Sequence, residues 1–179
     1  MATTRNVIVY IAMSLDGYIT GPENSLDFLK RVEKEGEDYG YATFLQTTDT
    51  IIIGRKSYDN VLAMGIAYPH ADKTVYIITR TAKPAIGSLN YYSGNLKALV
   101  LELKNKPGKN IFCDGGAEIV NQLLKDNLID EFIISIIPVL LGNGIRLFNN
   151  SFEELSISLI GYSKFDTGLI QLHYVRKNR

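Results

Sequence analysis

Glycines and basic residues follow two β-branched runs of the sequence, in a pattern that suits phosphate binding. Residues 50–53 are followed by Gly54-Arg55-Lys56-Ser57, and residues 111–113 by Asp114-Gly115-Gly116-Ala117. Each pattern predicts a strand that ends where a helix begins, so that backbone N–H groups and the positive end of the helix dipole face the crevice. Both junctions are candidate phosphate sites. The alternative is that the glycines only form tight strand-to-helix turns.

One further basic residue and two carboxylates are expected near the same crevice. Arg80 follows a strand-like run at residues 74–79, so it should emerge at a carboxyl end; an isolated surface charge is the alternative. Asp16 follows the first apolar run, and Asp27 lies at the start of a helical pattern. Either carboxylate could contact a substrate or assist proton transfer. Alternatively, Asp16 shapes the turn before Gly17, and Asp27 complements a helix N-terminus.

Short apolar runs rich in β-branched residues predict the strands that position these groups. Residues 7–13 are apolar on both faces, which is typical of a strand at the centre of a sheet. Comparable runs recur at residues 50–53, 74–79, 111–113 and 131–137. Near the end of the chain, two strand-like runs at 156–165 and 169–176 flank Asp166-Thr167-Gly168 and predict a β-hairpin.

Helical periodicity lies between these strands. Two apolar stripes predict amphipathic helices: Leu96, Leu99, Val100 and Leu103, and then Ile119, Val120, Leu123 and Leu124. Residues 26–45 keep rough helical spacing, although Gly36 and Gly40 are expected to interrupt it, and their acidic stretch 33–38 is interpreted as a solvated face. Alternating strands and helices predict an α/β fold with a largely parallel sheet, covered on both faces, and antiparallel strands at one edge.

Length and composition exclude several classes of protein. A chain of 179 residues predicts one domain, residues 1–179, and 19 basic against 19 acidic residues give no electrostatic footprint for nucleic acid or an anionic membrane. One cysteine cannot form an internal disulfide, and with two histidines it is too little for a typical zinc site. The longest apolar stretch, 132–141, is about half of a membrane span. Cytoplasmic localisation is therefore expected.

Five motifs occur along the sequence in an order that indicates a known family. They are residues 11–19 (Ile-Ala-Met-Ser-Leu-Asp-Gly-Tyr-Ile), Gly54-Arg55-Lys56-Ser57-Tyr58, Ile78-Thr79-Arg80, Asp114-Gly115-Gly116-Ala117 and residues 138–144 (Pro-Val-Leu-Leu-Gly-Asn-Gly). With them the chain resembles the dihydrofolate reductase-like superfamily. The closest branch contains the C-terminal reductase domain of bifunctional riboflavin-biosynthesis deaminase-reductases (RibD). The resemblance covers nearly the whole chain, and it implies a three-layer α/β/α fold around a central, mostly parallel, twisted sheet with a C-terminal antiparallel hairpin.

The resemblance also implies NADPH-dependent hydride transfer to a C=N or C=O bond of a small heterocyclic or sugar-like substrate. In similar proteins the paired glycines are joined by a cis peptide, which is expected here between Gly115 and Gly116. Carried over residue by residue, it assigns cofactor phosphates to the first junction, the 2′-phosphate region to Thr79 and Arg80, and the pyrophosphate and nicotinamide side to the second junction. The implied cofactor-binding residues are Ala12, Gly54, Arg55, Lys56, Ser57, Thr79, Arg80, Asp114, Gly115, Gly116, Ala117 and Glu118.

The substrate stays open at this point. The chain has no tryptophan, which dihydrofolate reductases usually carry after the first strand, and residues 60–65 replace the stretch that riboflavin enzymes usually show after the Gly-Arg motif. Ala12, Asp16, Asp27 and Tyr58 are expected to border the substrate pocket, with Tyr58 binding substrate. The proton donor is Asp16, Asp27 or ordered water.

Two further expectations concern activity and assembly. A catalytically silent NADP-binding or assembly module is the alternative to a reductase, since no obvious catalytic histidine or cysteine is present. Similar proteins and the apolar C-terminal strands, which would otherwise expose a sheet edge, indicate a homodimer.

Overall fold

A computed structural model describes residues 5–65, 67–70, 72–149 and 151–177. Within these residues an eight-stranded sheet has the strand order β5-β4-β3-β6-β1-β7-β10-β9. Its strands are β1 (Val7–Ser14), β3 (Thr48–Gly54), β4 (Thr74–Ile78), β5 (Leu89–Tyr92), β6 (Asn110–Gly115), β7 (Glu131–Ile137), β9 (Ile157–Lys164) and β10 (Ile170–Arg176). The six strands from β5 to β7 pair in parallel, whereas β10 pairs antiparallel with β7 and β9. The predicted fold class is confirmed.

Helices cover both faces of this sheet. They are α1 (Tyr41–Gln46), α2 (Arg55–Ala63), α3 (Leu96–Lys104) and α4 (Ala117–Lys125). The stripes of α3 and α4 pack with Val7 and Val9 of β1 on one face, and Phe44 of α1 and Tyr58 of α2 pack with Ile8 on the other. Because β1 is buried from both sides, its apolar residues alternate between two cores, as the sequence predicts. None of the described helices is long and apolar enough to span a bilayer.

The segment predicted as one interrupted helix is mostly irregular. Residues Asp27–Val32 form a 3-10 helix, and regular α-helix appears only in α1. Gly36 and Gly40 have positive φ angles of 77° and 82°, which end helical geometry at both points as expected. The chain therefore crosses this face of the sheet as an open loop between two short helices, which leaves a depression over β1 and β7.

Three short strands have no counterpart in the predicted pattern. One is β5, at the edge of the large sheet, and the others are β2 (Tyr18–Thr20) and β8 (Ile145–Arg146), which form a separate antiparallel pair. Each has only two to four residues, so periodicity along the chain cannot identify it. The partners of β2 and β8 are remote in sequence, and only the fold brings them together.

Arg5 ties the beginning of β1 to the neighbouring strand ends. Its side chain is 4% exposed, and its Nε donates to the Lys109 carbonyl oxygen at 2.6 Å. One Nη donates to the Leu103 carbonyl oxygen at 3.3 Å, and the other to Thr50 Oγ1 at 2.7 Å and to the Asp49 carboxylate. Every part of the buried guanidinium is thus hydrogen-bonded, which offsets its desolvation.

Replacement of this residue, Arg5→Ala, is expected to lower the free energy of unfolding by about 3 kcal/mol, because it leaves carbonyl and carboxylate acceptors unpaired. Urea denaturation would measure the change. The matched control Arg31→Ala removes an exposed arginine and should stay within about 0.5 kcal/mol of the wild type. Equal effects of the two substitutions would contradict an anchoring role for Arg5.

Candidate active site

The two strand-to-helix junctions lie side by side at the carboxyl ends of β3 and β6. These strands are parallel neighbours, and Ile53 is in register with Gly115. A Cβ atom at residue 54 would lie 3.1 Å from Ile119 Cγ1 of α4, and one at residue 116 would lie 2.7 Å from Ser57 Oγ of α2. Glycine at both positions lets the two junctions pack this closely. Both junctions therefore open onto one edge of the sheet.

Each junction presents the beginning of a helix to this edge. Gly54 precedes α2 and Gly116 precedes α4, and in the described part of the chain no side chain caps either helix. Backbone N–H groups of a first helical turn have no partner within the helix, and together with the helix dipole they attract anions. The peptide bond between Gly115 and Gly116 is cis, which confirms the prediction made from the resemblance.

The basic residues of the first junction are arranged differently from one another. Arg55 Nε donates to Asp59 one helical turn further on, at 2.6 Å, and its guanidinium lies 5.6 Å from the centre of the Tyr91 ring. The hydrogen bond to Asp59 raises the pKa of Arg55 further. Lys56 is exposed. Arg55 is thus held by its own helix, whereas the ammonium group of Lys56 faces solvent.

Arg80 connects the end of β4 with the beginning of α4. Its guanidinium is 96% exposed and lies 3.8 Å from the Glu118 carboxylate, a long and exposed ion pair that contributes little stability. The preceding residue is fixed, because the Thr79 nitrogen donates to the Tyr92 carbonyl oxygen at 2.9 Å. A hydrogen-bonded strand end therefore carries a solvent-exposed cation next to the second junction.

Asp114 places a titratable group directly before the paired glycines. Its carboxylate accepts a hydrogen bond from the Tyr68 hydroxyl at 2.7 Å. Burial raises the pKa of Asp114 to about 6, and the bond from Tyr68 opposes this shift. The pKa of Tyr41 is also raised, mainly by burial and in addition by the negative charge of Asp114. Asp114 thus links the second junction to an aromatic cluster on the face of the sheet that carries α1 and α2.

A cavity of about 640 Å³ occupies that face of the sheet, over β1 and β7. Ala12 of β1 lines it, and β1 pairs in parallel with β6, which ends at the second junction, so the cavity lies one strand away from that junction. The lining residues are Tyr10, Ala12, Leu29, Val32, Glu33, Lys34, Glu35, Glu37, Asp38, Tyr39, Tyr41, Ser135, Ile137 and Leu169. Its size suits a small heterocycle.

Tyr10 and Ser135 contribute polar side chains to the floor of this cavity, and Gln171 of the neighbouring strand bonds to both. Ser135 of β7 is in register with Ala12 of β1 and with Gln171 of β10. The Gln171 amide nitrogen donates to Ser135 Oγ at 3.1 Å and to the Tyr10 hydroxyl at 3.0 Å. Sequence reasoning missed all three, because the signal is a strand register that does not exist in the linear chain. The acidic stretch 33–38, interpreted as a solvated face, also borders the cavity.

Asp16 organises a loop. Its carboxylate accepts hydrogen bonds from Ser14 Oγ at 2.6 Å, the Gly142 nitrogen at 2.7 Å and the Leu141 nitrogen at 3.0 Å. These bonds, with that from Ser14 the largest cause, lower the pKa of Asp16 to about 2. It does not line the cavity. An ionised carboxylate with these partners is a poor proton donor, so the contacts favour the turn-shaping alternative.

Asp27 and Tyr58 also lie outside the cavity lining. The Asp27 carboxylate is exposed and accepts from Lys30 Nζ at 2.6 Å and from Ser25 Oγ at 2.9 Å, bonds that lower its pKa. Tyr58 is 5% exposed, and its ring packs 5.4 Å from that of Tyr68. The predicted contacts of both with substrate therefore stay predictions, which the lining of this cavity does not support. Asp27 complements the beginning of a 3-10 helix, and Tyr58 belongs to the aromatic core.

Asp114 gives the stability of the protein a specific pH dependence. Because its folded-state pKa of about 6 lies above the usual 3.8, the stability it contributes is present below about pH 4 and is lost as the pH rises through about 6. Between about pH 4.5 and 7.5 the wild type should lose about 2 kcal/mol that Asp114→Asn retains. Urea denaturation at both pH values measures this difference. The control Asp166→Asn removes an exposed carboxylate, and its free energy of unfolding should change with pH as that of the wild type does. If Asp114→Asn also changed with pH like the wild type, Asp114 would be well solvated and the prediction would be wrong.

The chain is similar to known proteins over nearly its whole length. A family model described as the RibD C-terminal domain matches residues 5–171. The uncharacterized protein YwjB of Bacillus subtilis (strain 168) is 42% identical over 173 residues, which cover 96% of this chain and 98% of that protein. A crystal structure from Shewanella sp. PV-4, provisionally named a riboflavin biosynthesis protein, is 32% identical with a TM-score of 0.87 and covers 97% of this chain and 99% of its own.

A more distant structure shares the fold. The Thermotoga maritima protein described as a diaminohydroxyphosphoribosylaminopyrimidine deaminase/5-amino-6-(5-phosphoribosylamino)uracil reductase is 10% identical, with a TM-score of 0.71. The match covers 97% of this chain and 57% of that one. The family model spans nearly all of the sequence and includes both junctions and every residue that lines the cavity. The chain belongs to the RibD C-terminal domain family, whose fold is reductase-like.

Proposed function

We propose that the protein is an NADPH-dependent reductase that transfers a hydride to a C=N or C=O bond of a small heterocycle. The observation that carries the proposal is the adjacency of two uncapped helix beginnings to a cavity of about 640 Å³. The helix beginnings suit a dinucleotide's phosphates, and the cavity suits a substrate. Membership of a reductase-like family supports the proposal that the protein binds both a cofactor and a substrate.

The junctions fit this cofactor because each presents the backbone N–H groups of a first helical turn that no side chain caps among the described residues. Gly54 to Ser57 and Gly115 to Glu118 would hold phosphates, and Thr79 and Arg80 the 2′-phosphate region. Asp114 and Ala12 would border the nicotinamide side. When bound, NADPH supplies the hydride, and the protein binds and orients the two reactants.

Reduction of a C=N or C=O bond also requires a proton at the nitrogen or oxygen. Asp16 is ionised and bonded within its loop, and Asp27 lies outside the cavity, so neither reaches a substrate there. Of the three donors considered, water in the cavity is the one that the geometry favours. The tyrosine and serine hydroxyls of the floor can orient such a water by hydrogen bonds.

The role of Arg80 provides the test of cofactor choice. Arg80→Ala should weaken NADPH binding about ten- to a hundredfold, since it removes a charge-assisted contact worth about 1.5–3 kcal/mol to the 2′-phosphate. NADH binding should hardly change. Fluorescence titration of both nucleotides measures these affinities. The control Lys97→Ala removes an exposed cation from α3 and should bind both nucleotides like the wild type.

Equal affinity of the wild type for NADPH and NADH would refute the assignment of Arg80. NADPH consumption with any member of a panel of pterins, pyrimidines and small carbonyl compounds would exclude a catalytically silent module. Tight NADPH binding without turnover across the panel would instead favour that alternative.

We also propose that two copies associate through the apolar face of the C-terminal strands. Leu159 and Tyr162 of β9 are 50% and 74% exposed and are in register with Tyr174 and Leu172 of β10. These side chains continue the face of the sheet that carries Phe132 and other apolar residues of β7. An edge strand with this much exposed apolar surface favours association.

Charge on this face should therefore dissociate the protein. Tyr162→Asp is expected to convert a dimer into a monomer in light-scattering measurements, because a carboxylate would be desolvated at the interface. The matched control Ser163→Asp adds the same charge to the adjacent residue, which points to the opposite face, and should leave the dimer intact. A monomeric wild type would contradict the proposal directly.

A further inference from the structure

The cavity described above differs sharply in charge from the junctions beside it. We infer that it takes a flat, amino-substituted heterocycle that carries no phosphate or other anionic group. This inference rests on the proposed function and names the substrate class of the same site. It follows from three features of the lining: the charges at the rim, the rings of the walls and the hydroxyls of the floor.

The rim carries four carboxylates, those of Glu33, Glu35, Glu37 and Asp38. Asp38 accepts hydrogen bonds from the Gly40 and Ala42 nitrogens, both at 2.9 Å, and these bonds lower its pKa. It therefore stays ionised at neutral pH. A phosphate brought to this rim would meet charges of its own sign, and such repulsion discriminates against an anionic ligand.

Positive charge at the rim is too weak to offset these carboxylates. Lys34 is the single basic residue in the cavity lining, over the ranges that the structure describes. Its Nζ lies 3.3 Å from the Asp166 carboxylate, so its charge is already shared. No arginine borders the cavity within those ranges, although Arg is the residue best suited to grip a phosphate in two hydrogen bonds. Neutral or cationic ligands are therefore favoured.

Aromatic walls add a preference for flat rings. Tyr10, Tyr39 and Tyr41 line the cavity. The Tyr10 ring stacks on Phe44 with centroids 4.6 Å apart and lies 5.3 Å from Tyr41, so its orientation is fixed by packing. Tyrosine faces attract flat π-systems and cations, and walls that are already ordered lose little entropy on binding.

The floor supplies directional hydrogen bonds. Ser135 is 4% exposed, lines the cavity and accepts from Gln171 Nε2. Its own hydroxyl proton has no acceptor among the hydrogen bonds of the described residues, which leaves it for a ring nitrogen or carbonyl oxygen of a ligand. The Tyr10 hydroxyl, by contrast, donates to the Tyr39 carbonyl oxygen at 2.8 Å and is already committed. One buried, unspent donor suits the polar edge of a heterocycle.

This substrate class departs from the phosphorylated pyrimidine in the description of the Thermotoga relative. Identity with that protein is 10%, so the shared fold gives no reason for a shared substrate. The phosphate-binding features of this chain lie instead at Gly54 and Gly116, where the cofactor is proposed. The acidic rim would keep phosphate groups at that edge and out of the cavity.

Two pyrimidines of similar size and opposite charge test the inference by calorimetric titration. At about pH 6, 2,4-diaminopyrimidine is mainly a cation and orotate is an anion. We expect the diaminopyrimidine to bind at least about tenfold more tightly, with an affinity that falls as salt screens the carboxylates. Orotate binding as tightly, or no binding of the diaminopyrimidine, would overturn the inference.

Variants locate the effect. The double variant Glu33→Gln/Glu35→Gln should bind the diaminopyrimidine about tenfold more weakly, at about threefold for each exposed carboxylate removed. The control Glu153→Gln/Glu154→Gln makes the same change of net charge away from the cavity and should bind like the wild type. Equal behaviour of the two double variants would show that the rim does not select the ligand.

A separate NADPH titration of the same samples keeps the two proposals distinguishable. Diaminopyrimidine binding that needs the rim, with no NADPH binding, would refute the proposed reductase while the substrate class stands. NADPH binding with a preference for orotate would refute only the substrate class. Faster turnover of a phosphorylated pyrimidine than of its unphosphorylated counterpart would likewise refute only the substrate class.

Discussion

The close packing of two strand-to-helix junctions at the carboxyl ends of β3 and β6 is the constraint on which the candidate site depends. A Cβ atom at residue 54 would crowd Ile119 of α4, and one at residue 116 would crowd Ser57 of α2. Because neither residue has a side chain, two helices begin side by side, at the level where Ile53 is in register with Gly115. Parallel pairing of the strands thus places two sets of first-turn N–H groups at one edge without a phosphate-loop motif.

The charge of the protein is distributed according to this geometry. Lys56 and Arg80 lie with the helix beginnings at one edge, and the acidic stretch 33–38 borders the cavity on the neighbouring face. The zero net charge of the sequence hides this separation. One edge of the sheet therefore carries positive charge while the neighbouring face carries negative charge, since fields at short range follow local charges rather than the total.

Loops around the site are fixed by carboxylates that act as hydrogen-bond acceptors. Asp16 joins the turn after β1 to the backbone at Leu141 and Gly142, and Asp38 holds the beginning of α1. Both have lowered pKa values for that reason. Asp114 shows the opposite case, since burial next to Tyr68 raises its pKa. Residues of one type thus do different work because their surroundings differ.

Local patterns in the sequence determined the longer strands, the helices α3 and α4 and the two junctions, because apolar periodicity and glycine positions follow directly from backbone geometry. The resemblance, not periodicity, supplied the cis peptide at Gly115. Tertiary structure alone decided which side chains line the cavity. Ser135 and Gln171 meet only through the register of three strands, and Asp16 is drawn into a loop formed 125 residues later. A side chain's neighbours across a sheet are set by pairing between distant segments, and no pattern along the chain encodes that pairing.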